Sequence, residues 1–215
     1  MRRVSAEHYF SARPGAPDRQ RRIEFELAGR RYRLTTSAGV FSADRLDLGT
    51  SVLLNKAPLP SPGTRGSLLD LGCGYGPIAT VLSTSAPDAT VYAVDVNTRA
   101  LDLVRRNAEE HGLNIVAAAP DEVPPETTFA QIWSNPPIRV GKDELHDLLD
   151  RWLPRLADDG VAWLVVARNL GADSLQKWLI DRGWDAERHA SQKGYRVFQV
   201  RRNSNDRTSE SAENS

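Results

Sequence analysis

The sequence predicts an α/β fold: a doubly wound, mostly parallel sheet of seven strands whose last strand is antiparallel, preceded by a small N-terminal β-hairpin. Three observations predict it. Apolar runs of strand length alternate with amphipathic helical segments from residue 67 to residue 182. A glycine-rich turn follows the first of those runs. The final two runs follow each other with no helix between them, so one of them must reverse direction.

The elements follow in order. Residues 1–20 are polar, carry Pro14 and Pro17, and read as loop. Residues 23–27 and 32–36 alternate apolar and polar around Ala28-Gly29, the pattern of a hairpin. Residues 46–55 suit a short helix, and residues 58–66, with three prolines and two glycines, read as a linker. Strands are expected at 67–71, 90–96, 114–119, 129–134 and 161–167. Helices are expected at 77–86, with Pro77 in the first turn where its missing N–H costs little, and at 98–111, stopped by Gly112. A further helix at 143–156 should end early at Pro154, and one at 173–182 has Asp173 as its expected N-cap. Residues 184–189 and 195–201 form the last two strands around a turn at Gly194. The expected organisation is an extension at 1–57, an α/β domain at 58–202 and a disordered tail at 203–215, which lacks aliphatic and aromatic residues apart from Ala212.

Bulk properties narrow the function. The chain has 215 residues, 40% hydrophobic and 26% charged, with 28 basic and 28 acidic side chains. A zero net charge gives no global field toward nucleic acid or anionic membrane. Residues 1–33 nevertheless hold nine arginines against four acids, which fits a solvated basic arm and an RNA-contacting one equally well. Cys73 is the single cysteine, which excludes an intrachain disulfide and a cysteine-based zinc site. No metal is expected. No apolar stretch has the length of a membrane span, and no apolar signal core follows Arg2 and Arg3, so a cytoplasmic protein without membrane association is expected.

The turn at residues 70–76 reads Asp-Leu-Gly-Cys-Gly-Tyr-Gly and lies at the carboxyl end of its strand, where open α/β sheets bind ligands. Its spacing is G-x-G-x-G, and Pro77 occupies the third glycine position of a dinucleotide fingerprint. No Gly-Lys-Ser/Thr follows, so the phosphate-loop pattern is absent. Asp70, two positions before the first glycine, suits a cationic ligand group better than a pyrophosphate. Asp95 lies 19 residues beyond Gly76 at a strand end, where a carboxylate either accepts from a ribose diol or caps the helix that begins near Thr98.

Ser134-Asn135-Pro136-Pro137-Ile138 follows the fourth strand of the sheet. Two prolines fix φ and remove two backbone donors, and Asn135 before proline is held extended. The corner therefore presents acceptors: the Asn135 amide oxygen and backbone carbonyls. A plain surface turn uses the same residues. An exocyclic amine is planar and poorly nucleophilic, and acceptors gripping its N–H groups turn its lone pair toward an electrophile and stabilise the positive charge that develops on nitrogen.

Residues 70–76 resemble the first motif of class I S-adenosylmethionine (SAM)-dependent methyltransferases, and Val94-Asp95-Val96-Asn97 resembles their acidic second motif. The resemblance implies a Rossmann-like fold and SAM as cofactor. It implies that Gly72, Gly74 and Gly76 line the methionine part, with Asp70 and Cys73 in the same loop. It also implies that Asp95 holds the ribose, flanked by Val96 and Asn97, with Asp121 near the adenine and Asn135 at the methyl end. The Asn-Pro-Pro-Ile tetrad is similar to the fourth motif of amino-methyltransferases that modify adenine N6, guanine N2 or a glutamine amide, with Asn135, Pro136 and Pro137 as catalytic residues. Where many of these carry an aromatic residue this chain has Ile138, and Phe41 is the candidate for stacking on the target. Gly39-Val40-Phe41-Ser42, Leu46-Asp47-Leu48-Gly49-Thr50, the stretch Asn135-Pro136-Pro137-Ile138-Arg139-Val140-Gly141-Lys142 and the ending Lys193-Gly194-Tyr195-Arg196-Val197 resemble single-domain members of the small-subunit (16S rRNA guanine-N2) methyltransferase-like family. That resemblance spans residues 9–202 and implies an rRNA substrate, with residues 1–57 supplying a lid segment and Phe41, Ile138, Arg139 and Lys142 contacting substrate. Larger members carry an additional N-terminal domain, for which this length leaves no room. A monomer is favoured. A protein glutamine amide or a small-molecule amine as acceptor, and a non-catalytic SAM- or RNA-binding module, remain as alternatives.

Overall fold

A computed structural model describes residues 20–38, 40, 45–136 and 141–203. The expectations placed on residues 1–19, Phe41, Pro137, Ile138, Arg139 and residues 204–215 fall outside the described residues. Strands β1 (Gln20–Leu27) and β2 (Arg30–Ser37) form an antiparallel hairpin, and helix α1 (Leu48–Lys56) follows. The remaining elements are β3 (Gly66–Leu71), α2 (Pro77–Ser85), β4 (Ala89–Val94), α3 (Thr98–His111), β5 (Ile115–Ala118), β6 (Phe129–Ser134), α4 (Lys142–Trp152), β7 (Leu156–Ala167), α5 (Ala172–Asp181), β8 (Trp184–Gln192) and β9 (Tyr195–Arg202).

Strand order in the seven-stranded sheet is β5-β4-β3-β6-β7-β9-β8. The first five run parallel, and β9 is antiparallel to both neighbours, as the missing helix between the last two runs predicts. The order reverses between β3 and β6, so the loops after these two strands flank the switch point where α/β sheets bind ligands.

Period-two alternation sorts the side chains into two layers. Leu68, Val91, Ala93, Trp133, Trp163 and Val165 pack on one face with Leu53 of α1, Leu82 of α2 and Val104 of α3. Leu69, Leu71, Phe129, Ile132, Leu164 and Phe198 pack on the other with Leu149 and Trp152 of α4 and Leu175 and Leu179 of α5. Trp133, Trp152 and Trp163 are buried, matching their apolar settings, while Trp178 is half-buried and stacks on His146.

The hairpin turn uses φ of 50° at Ala28 and 76° at Gly29, the two positive values that a two-residue turn matching strand twist requires. The hairpin then docks on α3. Ile23 and Leu34 share a buried cluster with Ala100 and Leu103 of α3 and with Tyr75 of the glycine-rich turn. Asn107, 1% exposed, accepts from the Thr35 N–H at 2.8 Å and donates to the carbonyls of Thr35 and Tyr75, both at 3.0 Å. One buried amide thus joins the hairpin edge, α3 and the turn.

Two boundaries, those of α5 and β7, differ from expectation, while α4 ends early at Pro154 as expected. Asp173 is not the N-cap of α5. That position belongs to Gly171 (φ 94°), reached through a 3₁₀ turn at Arg168–Leu170, and Asp173 lies in the first helical turn, ion-paired with Arg196 of β9. Helix α4 ends at Trp152, and Pro154 sits in a 3₁₀ turn before the strand. Strand β7 starts at Leu156, earlier than the apolar run, because Leu156 pairs with Phe129 across a register shift and its carbonyl accepts from Arg202. No described helix is long and apolar enough to cross a membrane.

Candidate active site

The turn after β3 meets the loop after β6 at one cleft, lined by Asp47, Thr50, Gly72, Gly74, Tyr75 and Asn135 among others. The turn is possible because Gly72, Gly74 and Gly76 hold φ of 75°, 54° and 86°. A side chain at Gly74 would find only Val40, at 3.9 Å, so open space lies over that residue. At Gly76 a Cβ would meet Val104 at 3.0 Å, so that glycine serves packing of the turn against α3.

Two carboxylates stand behind the turn. Asp70 shares its strand face with Leu68, points at α2 and is fully buried. Its Oδ2 accepts from the Ala79 N–H at 2.8 Å, near the N-terminal end of α2, and its Oδ1 has no partner among the described residues. Burial pushes its pKa up to about 7; the Ala79 hydrogen bond pulls the other way, and the charge of Asp95 adds to the rise. Asp70 therefore anchors the turn to α2 from behind and is not among the residues that line the cleft.

Asp95 follows β4. Its Oδ2 accepts from the Gly74 N–H and its Oδ1 from the Asn97 N–H, both at 2.9 Å. Burial raises its pKa, opposed by backbone N–H groups of Asn97, Gly74 and Val96. Three backbone N–H groups leave the carboxylate acceptor capacity for a ligand hydroxyl. The helix cap that the sequence left open for Asp95 is made by Asn97, whose side chain accepts from the Arg99 and Ala100 N–H groups. Val96 between them is 43% exposed, an apolar side chain at the surface. Cys73 is buried, and burial first, then the Asp95 and Asp70 charges, hold its thiol well above its ordinary pKa, so it is not a nucleophile here. Asp121 is not brought to this cleft. Its carboxylate is exposed and ion-pairs with Arg151 at 2.7 Å.

Asn135 closes the cleft from the β6 side. Its Nδ2 donates to Asp47 Oδ1 at 2.6 Å and to Thr50 Oγ1 at 3.0 Å. Both amide hydrogens are thereby used, and the orientation of the side chain is set. The amide oxygen takes no hydrogen bond from a described residue. Asp47 is itself held, because the same Oδ1 caps α1 by accepting from the Thr50 N–H at 3.0 Å. A Cβ on Gly49 would fall 3.0 Å from Asp47 Oδ1, 3.1 Å from Asn135 Oδ1 and 2.9 Å from Tyr195 Cε1, so only glycine lets these four residues meet. Tyr75 adds a buried hydroxyl with no partner among the described residues, its pKa raised by burial and by the Asp47 charge. Pro136 is buried beside Asn135, and Lys142 is exposed at the start of α4.

Asp47, Thr50 and Gly49 escaped sequence reasoning as site residues. The signal was the Asp-x-x-Thr capping spacing in a segment already singled out by resemblance, but nothing local tied it to Asn135. Among the described residues no cluster of three metal-binding side chains occurs.

Residues 31–199 match the model of the methyltransferase small domain family. The uncharacterized protein YbxB of Bacillus subtilis is 32% identical over 201 residues, which cover 92% of this chain and 99% of that protein. Ribosomal RNA small subunit methyltransferase C of Aeromonas hydrophila is 40% identical over 121 residues, covering 56% of this chain and 34% of the relative, so the match spans about a third of that protein. Among solved structures, the T. thermophilus 16S rRNA N2 methyltransferase (RsmC), in complex with AdoMet and guanosine, superposes with a TM-score of 0.74 at 24% identity, covering 88% of this chain and 52% of that one. A ribosomal protein L11 methylase from Lactobacillus delbrueckii gives a TM-score of 0.56 at 18% identity, covering 65% of this chain and 71% of that one. With the family model spanning most of its length and the Bacillus relative nearly all of it, this chain belongs to the methyltransferase small domain family and is a methyltransferase.

Proposed function

We propose that the protein methylates an exocyclic amine, guanine N2 of ribosomal RNA, at the cleft between the glycine turn and Asn135. The cofactor is S-adenosylmethionine, which when bound supplies an electrophilic methyl group on a sulfonium. The residues fit it. The open space over Gly74 admits the amino-acid part against backbone, Asp95 keeps acceptor capacity for a ribose hydroxyl, and exposed Val96 offers an apolar face to the adenine.

The observation that carries the acceptor class is the fixed amide of Asn135. Because Asp47 and Thr50 hold its NH2 group, what it has left to offer is an oxygen. An acceptor aimed at an amine N–H turns the nitrogen lone pair toward the methyl donor and stabilises the charge that develops as the N–C bond forms. Pro136 limits the backbone of Asn135 to extended conformations, so the acceptor is preorganised. Asp47 is engaged with Asn135 and with the cap of α1, which makes it a positioning residue. The proton displaced from nitrogen leaves to water.

The choice of guanine in RNA is supported by the rRNA methyltransferase relatives and by the guanosine named with the T. thermophilus neighbour. Incubation with methyl-labelled SAM and bulk rRNA, followed by digestion to nucleosides, tests it. Label in N2-methylguanosine is the expected result. Label in another nucleoside, in protein glutamine or in a small amine refutes the guanine assignment, and absence of any transfer refutes the catalytic reading.

A further inference from the structure

At the same end of the sheet as Asn135, the turn between β8 and β9 walls a second groove, lined by Arg168, Arg188, Lys193, Tyr195 and Arg196 among others. Four of these are cations, drawn from two strands and two turns. Arg168 follows β7, Arg188 lies on β8, Lys193 is at the turn and Arg196 is on β9. The turn brings them together by its geometry. Lys193 (φ 50°) and Gly194 (φ 80°) reverse the chain, the Gly194 carbonyl accepts from the Arg168 N–H at 2.8 Å, and the Ser191–Arg196 pair lies in register.

The charges are available. Arg168, Arg188 and Lys193 are exposed and have no acidic partner among the described residues; Arg196 is committed to Asp173. Lys142 lies by the end of the 3₁₀ turn that begins at Arg168, its Cε 3.9 Å from the position of a Cβ on Gly171. Of the acids nearby, Asp173 pairs with Arg196, and Asp143 and Glu144 follow Lys142 in the first turn of α4. Apart from the Tyr195 ring, the residues that line the groove are cationic, polar or glycine, a lining that suits a polyanion.

Tyr195 connects this groove to the cleft. It lines the groove, while its ring edge and the Asn135 amide oxygen both lie within 3.1 Å of the point a Cβ on Gly49 would occupy. We infer that the groove is the docking track for the RNA strand, with Arg168, Arg188 and Lys193 contacting phosphates that flank the nucleotide presented to Asn135. The inference rests on the RNA reading of the proposed function. The chain has zero net charge, so local clustering of cations has to supply the attraction that a globally basic protein would spread over its surface. Phosphate contacts of this kind position a strand without reading its bases.

The experiment compares wild type with the combined variant Arg168→Glu, Arg188→Glu and Lys193→Glu, three exposed positions outside the cleft. Binding of a 16S rRNA transcript is measured by filter binding at several salt concentrations, with SAM affinity and methyl transfer measured in parallel. The expected result is at least about a tenfold loss of RNA affinity and a salt slope shallower by about 2, as three lost single-strand phosphate contacts require. SAM affinity stays unchanged. Equal RNA affinity and equal slope in the two proteins overturn the groove assignment. So does an unchanged RNA affinity accompanied by lost labelling of ribosomal proteins, which would make a protein the occupant. Groove-dependent RNA binding by a wild type that transfers no methyl to RNA would leave the groove standing and refute the proposed function instead.

Discussion

Asn135 and Asp47 are 88 residues apart in the chain and meet at 2.6 Å. Replacing Asp47 by Ala frees the Asn135 amide to rotate and also removes the cap of α1. The cap accounts for about 1 kcal/mol of stability. The loosened amide lowers turnover by about 100-fold, the scale of a misplaced catalytic group. Calorimetry should find SAM affinity largely kept, because the side-chain hydrogen bonds of Asp47 go to Thr50 and Asn135 and none goes to the glycine turn or Asp95 among the described residues. An unaltered kcat would show that the carboxylate is not needed to hold the amide. Asp70 gives a second prediction at this scale. In the unfolded chain it ionises at its ordinary value of 3.8, and in the fold at about 7. The folded protein therefore holds a proton that the unfolded chain has released, and stability from this group is full below pH 4 and is lost as pH rises through 7. Between pH 5.5 and 8.5 the loss is about 2 kcal/mol. Asp95 shifts in the same direction. Asp70→Asn keeps an acceptor for the Ala79 N–H and flattens that profile in urea unfolding, whereas parallel profiles for the two proteins would refute the assignment.

Helix α1 and the hairpin show what local sequence carries and what it does not. The hairpin was legible from alternation around Ala28-Gly29, and α1 from its length and pattern, because both signals lie within a few residues. Their attachment was not. Asn107 looks like any polar residue in an amphipathic helix until Thr35, 72 residues away, is placed beside it. Asn107→Leu leaves the Thr35 N–H and two carbonyls without partners in a buried place, and should cost about 2–4 kcal/mol. Urea midpoints measure this; a loss below about 1 kcal/mol would mean that water or rearrangement replaces the amide. Asp173 is the reverse case. Its residue type and position suggested a cap, but Gly171 in the left-handed region started the helix earlier and left Asp173 to the ion pair with Arg196.

Across the whole molecule, the parallel sheet was readable because the central strands β3, β6 and β7 are apolar and largely buried on both faces, while α3 and α4 bury one face, so period and apolar length report the architecture directly. The reversal of β9 followed from the absence of a connecting helix. The glycine-rich turn was readable for a similar reason: three glycines with positive φ leave a mark in sequence that few other constraints leave. The acceptor side was half readable. Asn135-Pro136 declares a rigid corner, whereas the partners that orient it come from α1, and the basic groove beside it comes from β7, β8 and β9. Contacts assembled from distant segments have no local signature, and the sheet is what brings them to one edge.

The Asn135 amide oxygen, held by Asp47 and Thr50, is the group proposed to grip the amine that is methylated. The most direct test is Asn135→Ala, measured for SAM affinity by calorimetry and for single-turnover methyl transfer to rRNA. Transfer should fall by about 100-fold or more, the loss expected for one preorganised hydrogen-bonding group, with SAM affinity within about twofold of wild type. Transfer at the wild-type rate, or loss of SAM binding in step with loss of transfer, would contradict the account.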